Sequence, residues 1–588
     1  MLNKIRQYLG VKNVSWKDTY QSWMERVDLE PGLKKELDQL AGEDTDLEEA
    51  FYAPMEFGTA GMRGVMGPGI NRMNIYTVRQ ATEGLANFMD ELDEKTKQQG
   101  VAISFDSRYH SKEFAHEAAH VLGAHHIPSF VFDDMRPTPE LSFTVRHLHT
   151  YAGIMITASH NPKQYNGYKI YGPDGGQMPP VDSDKITAYI RKVTDIFDVP
   201  VADEHELRQN GLLTLIGENV DEAYLAEVKT ITINPDLIKE YGADMKLIYT
   251  PLHGTGKVLG NRALQNAGFN DFTMVPEQAT ADPEFITTPF PNPEFPQTFD
   301  LAIKLGKKQN ADLLVATDPD ADRLGAAVRR PNGEYQLLTG NQMAALMLNY
   351  IVTARQENGT LPKNAVAVKS IVSSELATKI AEAHGVGMVN VLTGFKFIAD
   401  QIQHYETTHE HTFVFGFEES YGYLVKPFVR DKDAIQGIVM LAEIAAYYRK
   451  QGKTLYDGLQ DLFAKYGYYA EKTISKDFPG VDGKAEMANL MTKFREERPT
   501  DFAGQEVTAL EDFEKQVTTF ADGTSRKIAL PVSNVLKYQL KDGTWIAIRP
   551  SGTEPKIKFY VGTVGSDNAI AQKKVADFEK AIDKFIEA

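Results

Sequence analysis

The run Gly153-Ile154-Met155-Ile156 predicts a strand that empties into Thr157-Ala158-Ser159-His160-Asn161-Pro162, where the proline disfavours helix at Asn161. A serine at a strand end beside a histidine can act as a nucleophile or phosphoryl carrier, or it can build a plain Ser/Asn turn. A hydrolase elbow is excluded, because Thr157 and Asn161 stand where that motif needs glycines. Lys169, in Asn166-Gly167-Tyr168-Lys169, is placed to reach the same pocket.

A second predicted strand, over 313–316, runs into Asp318-Pro319-Asp320-Ala321-Asp322-Arg323. Alternate carboxylates in an extended loop point the same way and make an oxygen-only set suited to a hard cation such as Mg²⁺. An EF-hand is excluded, since Arg323 and Arg329 occupy the positions that need Gly and Glu. A third strand, over 412–415, leads to Gly416-Phe417-Glu418-Glu419-Ser420-Tyr421-Gly422. Its acceptors and hydroxyl suit sugar hydroxyls, and a structural turn explains the stretch equally well. The fourth segment, Arg549-Pro550-Ser551-Gly552-Thr553-Glu554-Pro555-Lys556, combines a guanidinium, two hydroxyls and a glycine backbone. Those are the parts of a phosphate clamp. A Walker loop around Gly254-Thr255-Gly256-Lys257 fails, because Pro251 and Val258 occupy required positions.

The chain carries 63 Lys+Arg against 81 Asp+Glu, a formal net charge of −18. That disfavours non-specific association with nucleic acid or anionic membrane. An anionic substrate therefore needs cations gathered locally, which Arg549–Lys556 and Phe57-Gly58-Thr59-Ala60-Gly61-Met62-Arg63-Gly64 supply. The absence of cysteine excludes a disulfide scaffold, a Cys-ligated metal and a thiol nucleophile. The opening MLNKIRQYLGVKN lacks a signal-peptide core and no apolar run is long enough to span a bilayer, so a cytoplasmic location is expected.

His116-Glu117-Ala118-Ala119-His120-Val121-Leu122-Gly123-Ala124-His125-His126 fits the long zinc-protease pattern, with His116, His120 and His126 as ligands. Against that reading, Phe114, Ala118, Val121 and Leu122 give the same helix an apolar face, and Met135 comes too soon for a Met-turn. A helix packed on a sheet is the expectation.

These segments need a frame. At about 150 residues per domain, 588 residues suggest four domains. A strand, polar loop and helix recur at VAISFDSRYHSKEFAHEAAHVLG, MKLIYTPLHGTGKVLGNRAL and AVAVKSIVSSELATKIAEA, which reads as three α/β units. TWIAIRPSGTEPKIKFYVG reads as two strands around a loop before a closing helix, and the Pro-rich stretch 280–297 as an ordered connection. Expected domains are 1–205, with the N-terminal helices and the Ser159 loop; 206–328, with the aspartate loop; 329–460, with the Gly416–Gly422 loop; and 461–588, with the Arg549–Lys556 loop.

In order, TASHNPKQYNGYK, DPDADR, GFEESYG and RPSGTEPK resemble the α-D-phosphohexomutase family from about residue 50 onward. FGTAGMRG and DPDADR are most similar to its branch of bacterial phosphoglucomutases and phosphopentomutase-like enzymes. The resemblance implies three α/β domains of shared topology with mixed sheets and a fourth, TATA-box-binding-protein-like α+β domain, around a central cleft. It implies a phosphoryl carrier at Ser159 and Mg²⁺ held by Asp318, Asp320 and Asp322 with a phosphoserine oxygen. His160 and Lys169 would handle protons, and Arg63 and Arg323 would steady the moving phosphoryl group. Thr393, Gly394, Glu418, Ser420 and Lys432 would meet the sugar, while Arg549, Ser551, Gly552, Thr553 and Lys556 would clamp the resting phosphate. Two positions depart from the pattern: Phe417 separates Gly416 from Glu418, and Ala434 stands where a glycine is common.

The implied reaction interconverts glucose 1-phosphate and glucose 6-phosphate, with glucose 1,6-bisphosphate as intermediate and activator. Sugar phosphates are then the partners, and a monomer is the working expectation. Phosphopentomutase or phosphomannomutase activity is the nearest alternative, followed by a sugar-bisphosphate synthase, a non-catalytic sugar-phosphate sensor and a zinc peptidase.

Overall fold

A computed structural model describes residues 15–58, 61–478, 483–551 and 556–587. Three mixed sheets are followed by a larger antiparallel one. The first contains β1 (Gly61–Val65), β2 (Val101–Phe105), β3 (Ser129–Phe132), β4 (Ala152–Ile156), β5 (Tyr165–Tyr171) and β6 (Leu213–Ile216), in the order β1-β5-β4-β2-β3-β6. The second contains β7 (Leu247–Thr250), β8 (Phe272–Met274), β9 (Leu313–Thr317), β10 (Leu324–Arg329) and β11 (Tyr335–Leu337), in the order β11-β10-β9-β7-β8. The third contains β12 (Ala365–Ser370), β13 (Gly387–Val391), β14 (Thr412–Glu418) and β15 (Gly422–Leu424), in the order β13-β12-β14-β15.

One topological unit recurs in all three. A fully buried strand (β2, β7, β12) runs parallel to a neighbour (β4, β9, β14), which then turns back into an antiparallel partner (β5, β10, β15). The runs VAISF, LIYT and AVAVKS are apolar enough to be buried on both faces, as parallel strands covered by helices require. The three strand–loop–helix repeats legible in the sequence begin on these strands. The helix Ser111–Ala124 packs as expected, burying Phe114, Ala115, Ala118, Ala119, Val121 and Leu122, spaced to form one apolar face.

The fourth sheet contains β16 (Tyr468–Asp477), β17 (Asp501–Phe502), β18 (Gln505–Asp512), β19 (Val517–Phe520), β20 (Ser525–Lys527), β21 (Leu536–Leu540), β22 (Trp545–Pro550) and β23 (Lys556–Gly565). Its order is β16-β23-β22-β21-β18-β19-β20, with β17 paired to β18. The helices Gly483–Glu497 and Asn568–Glu587 bring Leu490, Phe494, Phe578 and Ile582 into one core with Tyr538, Ile548 and Phe559 of the strands. This is the α+β arrangement expected of the last domain.

All three expected internal boundaries fall inside elements. The one at 205 cuts the helix Glu204–Gln209, and β6 beyond it pairs in parallel with β3, so the first sheet continues past residue 205. The one at 328 cuts β10, and the helix Leu455–Tyr466 crosses residue 460. The first error has a physical cause. Residues 198–211 are polar enough to read as a linker, yet they contain the helix Glu204–Gln209, anchored by the single buried side chain Leu207.

Candidate active site

The three chemical loops occupy the same topological position in three copies of one unit. Residues 157–164 join β4 to β5, 318–323 join β9 to β10, and 419–421 join β14 to β15. Each places one non-glycine residue in the left-handed region, namely Ser159 (φ 53°), Ala321 (φ 51°) and Tyr421 (φ 67°). That conformation costs an L-residue on the order of 1–2 kcal/mol, so each loop must be held from outside.

The holding groups come from the C-terminal end of the neighbouring parallel strand or the loop after it. After β2, the buried Arg108 guanidinium donates to the carbonyls of Ser159, Asn161, Pro162 and Tyr165. Asp106 holds Arg108 and accepts from the Thr157 hydroxyl at 2.6 Å and the Ser111 hydroxyl at 2.8 Å. After β7, Thr255 donates to the Pro319 carbonyl through its amide at 2.8 Å and its hydroxyl at 2.9 Å. At the last residue of β12, Ser370 Oγ donates to Glu419 Oε2 at 2.8 Å. None of these supports was singled out in the sequence. Their signal was the polar loop in each repeat, which the strand–loop–helix pattern exposed without showing its target.

The loops converge. Ser159 is buried, donates from its amide to Thr157 Oγ1 at 2.8 Å and from Oγ to Asp318 Oδ2 at 2.8 Å; His160 Nδ1 lies 3.1 Å from the same hydroxyl. Asp318 Oδ1 accepts the amides of Asp322 and Arg323 at 3.1 and 3.0 Å. Asp320 Oδ2 accepts from Lys169 Nζ at 3.1 Å and Thr138 Oγ1 at 2.9 Å. Lys432 Nζ lies 3.1 Å from Asp322 Oδ2 and 2.9 Å from Asp431 Oδ1.

The carboxylates have the character of a cation site. Each of Asp318, Asp320 and Asp322 offers an oxygen within 4.8 Å of the others, and all three are buried. Asp320 Oδ1 and Asp322 Oδ1 are buried with no hydrogen-bond partner, a state that buried acceptors rarely keep without an ion or water. Burial and mutual repulsion push Asp318 and Asp322 upward; Lys169 overrides burial at Asp320 and holds it low. Three carboxyls sharing one pocket cannot all ionise cheaply, and a hard divalent cation would relieve that cost.

Cations surround this cluster. Arg323 Nη1 donates to Glu294 Oε1 at 2.9 Å and the Ser420 carbonyl at 3.2 Å, so Ser420 meets the cluster through its backbone. Arg63 Nη1 donates to Asn161 Oδ1 at 2.9 Å. Desolvation, then Arg323 and Arg63, hold His160 well below the usual imidazole range, so its ring is neutral near pH 7. Glu418 accepts the Gly394 amide at 2.8 Å, and burial pushes it up to about 7. Gly394 has φ 123°, and the nearby Thr393 Oγ1 is buried without a hydrogen-bond partner.

In the last domain Arg549 on β22 faces Lys558 on β23 in register. Burial holds Lys558 low, and its ammonium feels Glu294, Arg323 and Glu419 of the other domains. Lys558 and Lys396, which feels Arg549, were missed because each is a lone lysine in an ordinary stretch. Ser551 and Lys556 bracket the fourth loop, with the Ser551 amide donating to the Lys556 carbonyl at 2.8 Å. Gly552 and Thr553 lie outside the described residues. Glu294 and Phe285 come from the Pro-rich stretch, whose role was read as connection alone; Phe285 lies under the Arg108 guanidinium at 5.0 Å.

Family models for phosphoglucomutase/phosphomannomutase match the chain four times: alpha/beta/alpha domains I, II and III at residues 54–196, 222–333 and 339–466, and the C-terminal domain at 491–580. The chain belongs to the phosphoglucomutase/phosphomannomutase family. It is therefore an enzyme of the phosphoryl-transferring isomerase class. A phosphoglucomutase of Staphylococcus epidermidis is 41% identical over 529 residues, covering 90% of this chain and 94% of the relative. One from Staphylococcus aureus is 39% identical over 521 residues, covering 88% and 91%. Among solved structures, parafusin, a phosphoglucomutase from Paramecium in its open form, matches with a TM-score of 0.68 at 16% identity over 91% of this chain and 96% of that one. A phosphoglucomutase/phosphomannomutase family protein from Burkholderia thailandensis gives 0.64 at 16% identity over 90% and 97%. Phosphoglucomutase/phosphomannomutase enzymes use a metal ion, and the oxygen-only aspartate set fits a hard one. Among the described residues no helix is long and apolar enough to cross a membrane.

The zinc-protease reading of the histidine helix does not survive the geometry. Glu117, its would-be general base, is tied to Arg79 at 2.7 Å. The helix ends at Ala124 and His126 turns away with φ 56°.

Proposed function

We propose that this chain interconverts glucose 1-phosphate and glucose 6-phosphate through a phosphorylated Ser159 and a glucose 1,6-bisphosphate intermediate. The observation that carries the reading is the 2.8 Å bond from Ser159 Oγ to Asp318, which joins the hydroxyl of one domain to the carboxylate cluster of the next. The 39–41% identity to named phosphoglucomutases supports glucose over mannose or a pentose.

In the first half-reaction the phosphoserine P–O bond breaks as a bond forms to the free sugar hydroxyl, and Ser159 Oγ leaves. The hydroxyl proton passes to the enzyme, with the neutral ring of His160 beside Ser159 and Lys169 donating to the Asp320 carboxylate. The bisphosphate then presents its other phosphate, and the reverse transfer regenerates phosphoserine. Asp318, Asp320 and Asp322 would hold Mg²⁺, which neutralises charge on the transferring oxygens when bound. Arg63 and Arg323 add positive charge, as phosphoryl transfer depends chiefly on positioning and electrostatics. Glu418, Gly394 and Thr393 would read sugar hydroxyls. Lys432, held between Asp322 and Asp431, would act from the edge of that pocket. Arg549, Ser551, Gly552, Thr553, Lys556 and Lys558 would hold the non-reacting phosphate. A cytoplasmic, monomeric enzyme is part of this reading.

The test is a coupled assay of glucose 6-phosphate formation with Mg²⁺ and catalytic glucose 1,6-bisphosphate, run beside mannose and pentose 1-phosphates. Turnover fastest on glucose and abolished by Ser159→Ala is expected. Full activity in Ser159→Ala would sink the proposal; faster turnover of ribose or mannose phosphate would reassign the sugar.

A further inference from the structure

The histidine helix does not serve the phosphoryl chemistry, yet its polar face is organised. His116 and His120 lie one turn apart on Ser111–Ala124, so their rings project from the same side. His116 Nδ1 and His120 Nε2 lie 3.1 and 3.2 Å from one oxygen, Glu204 Oε2. One ligand atom from each of the three lies within 4.8 Å of the others. In a tetrahedral zinc site with bonds of about 2.0–2.1 Å, neighbouring ligand atoms stand roughly 3.4 Å apart. Two of the three separations here are already close to that.

The surroundings fix the ligands. Arg208 grips the other oxygen of Glu204 through Nε and Nη2 at 2.9 and 2.6 Å, leaving Oε2 to the imidazoles. His120 Nδ1 faces Glu117 Oε1 at 4.0 Å, and Arg79 anchors Glu117. That separation is longer than a hydrogen bond, so Glu117 adds negative charge behind the non-ligating nitrogen of His120 without bonding it. The two helices are also held together locally. The Ala202 amide donates to the His120 carbonyl at 3.0 Å, and Gly123 packs so closely that a Cβ there would sit 2.4 Å from Leu207. The histidine side chains are 17% and 19% exposed and Glu204 is 34% exposed. One side of the cluster therefore opens to water, which can complete a four-coordinate shell.

We propose that His116, His120 and Glu204 form a second metal site, for a borderline divalent ion of the zinc class, which staples the helix Glu204–Gln209 to the helix Ser111–Ala124. Its two nitrogens and one oxygen distinguish it from the oxygen-only aspartate set, which suits a hard cation. The site is a staple and not a peptidase centre, because Arg79 occupies Glu117.

The experiment is equilibrium dialysis of the metal-stripped full-length enzyme against micromolar Zn²⁺ with Mg²⁺ in saturating excess, followed by metal counting and thermal melts. Wild type is expected to retain one zinc per chain and to melt higher with zinc than without. His116→Gln, His120→Gln and Glu204→Gln should each weaken zinc binding at least tenfold and abolish the melting shift, while Asp320→Asn retains the zinc. Glu204→Gln keeps an acceptor for both imidazoles, so it tests the site even if a histidine variant folds poorly. No zinc retained by wild type, or zinc retained by the three site variants and lost from Asp320→Asn, would overturn the proposal.

Discussion

Thr138 grips Asp320 twice: its amide donates to the Asp320 carbonyl and its hydroxyl to Oδ2, both at 2.9 Å. Thr138 opens the helix Thr138–Leu148 of the first domain, so an element remote from the aspartate loop in sequence sets the orientation of its middle carboxylate. Thr138→Val keeps the backbone bond and removes the hydroxyl. By the usual effect of groups that orient metal ligands, the apparent affinity for Mg²⁺ should fall about 10-fold or more. Mg²⁺ titrations of turnover check this, with the sugar-phosphate KM unchanged. An unaltered Mg²⁺ dependence would show that the hydroxyl is dispensable.

Arg108 is the corresponding support for the Ser159 loop. Its guanidinium spans four carbonyls that no single ammonium can reach, so Arg108→Lys is not conservative here. Arg108→Met leaves Asp106 buried without its cation, a loss of about 3–5 kcal/mol. We expect a clear fall in Tm for Met, and for Lys a fall in kcat of at least tenfold with little change in KM, because the loop that presents Ser159 loosens. Steady-state kinetics with melts of the same preparations separate the two effects.

Much of this was legible in the sequence, and what was not has a common cause. The four chemical segments announce themselves because residues that ligate or clamp cluster within a few positions. The repeats were visible because buried parallel strands are uninterrupted apolar runs. Arg108, Thr138, Thr255 and Ser370 act through bonds to backbone or carboxylate groups far away in the sequence, and nothing local marks such a residue. Lys558 is similar: its role comes from strand register opposite Arg549. Glu204 was hidden in a polar stretch, and only folding sets it over two histidines more than 80 residues earlier.

Lys558 tests the clamp. Its partly desolvated ammonium faces Arg549 and feels the charges of Glu294 and Glu419. Removing it should weaken phosphate holding in substrate and transition state alike, which raises KM and leaves kcat near its original value. Lys558→Met is expected to raise the glucose 1-phosphate KM about tenfold and to reduce the dependence of kcat/KM on ionic strength. A fall in kcat at constant KM would place this lysine among the groups that act on the transferring phosphoryl instead.

Glu418 carries a pH signature with a definite sign. Burial raises its carboxyl to about 7, against the opposing pull of Lys432, whereas in an unfolded chain it titrates near 4.5. The folded state therefore binds the proton more tightly. The associated stability is fully present below about pH 4.5 and is lost as pH rises toward and through 7. The full difference of about 2.5 pH units corresponds to roughly 3 kcal/mol, an upper figure. Glu418→Gln is neutral throughout and escapes this loss. Measured in the absence of substrate, the Tm of the variant should gain on that of wild type between pH 4.5 and 7.5, by a few degrees on the scale of about 2–4 °C per kcal/mol for a large domain. A Tm difference that stays flat across this range would mean that Glu418 is ionised in the folded enzyme from low pH, with its charge met by Lys432 and Arg323.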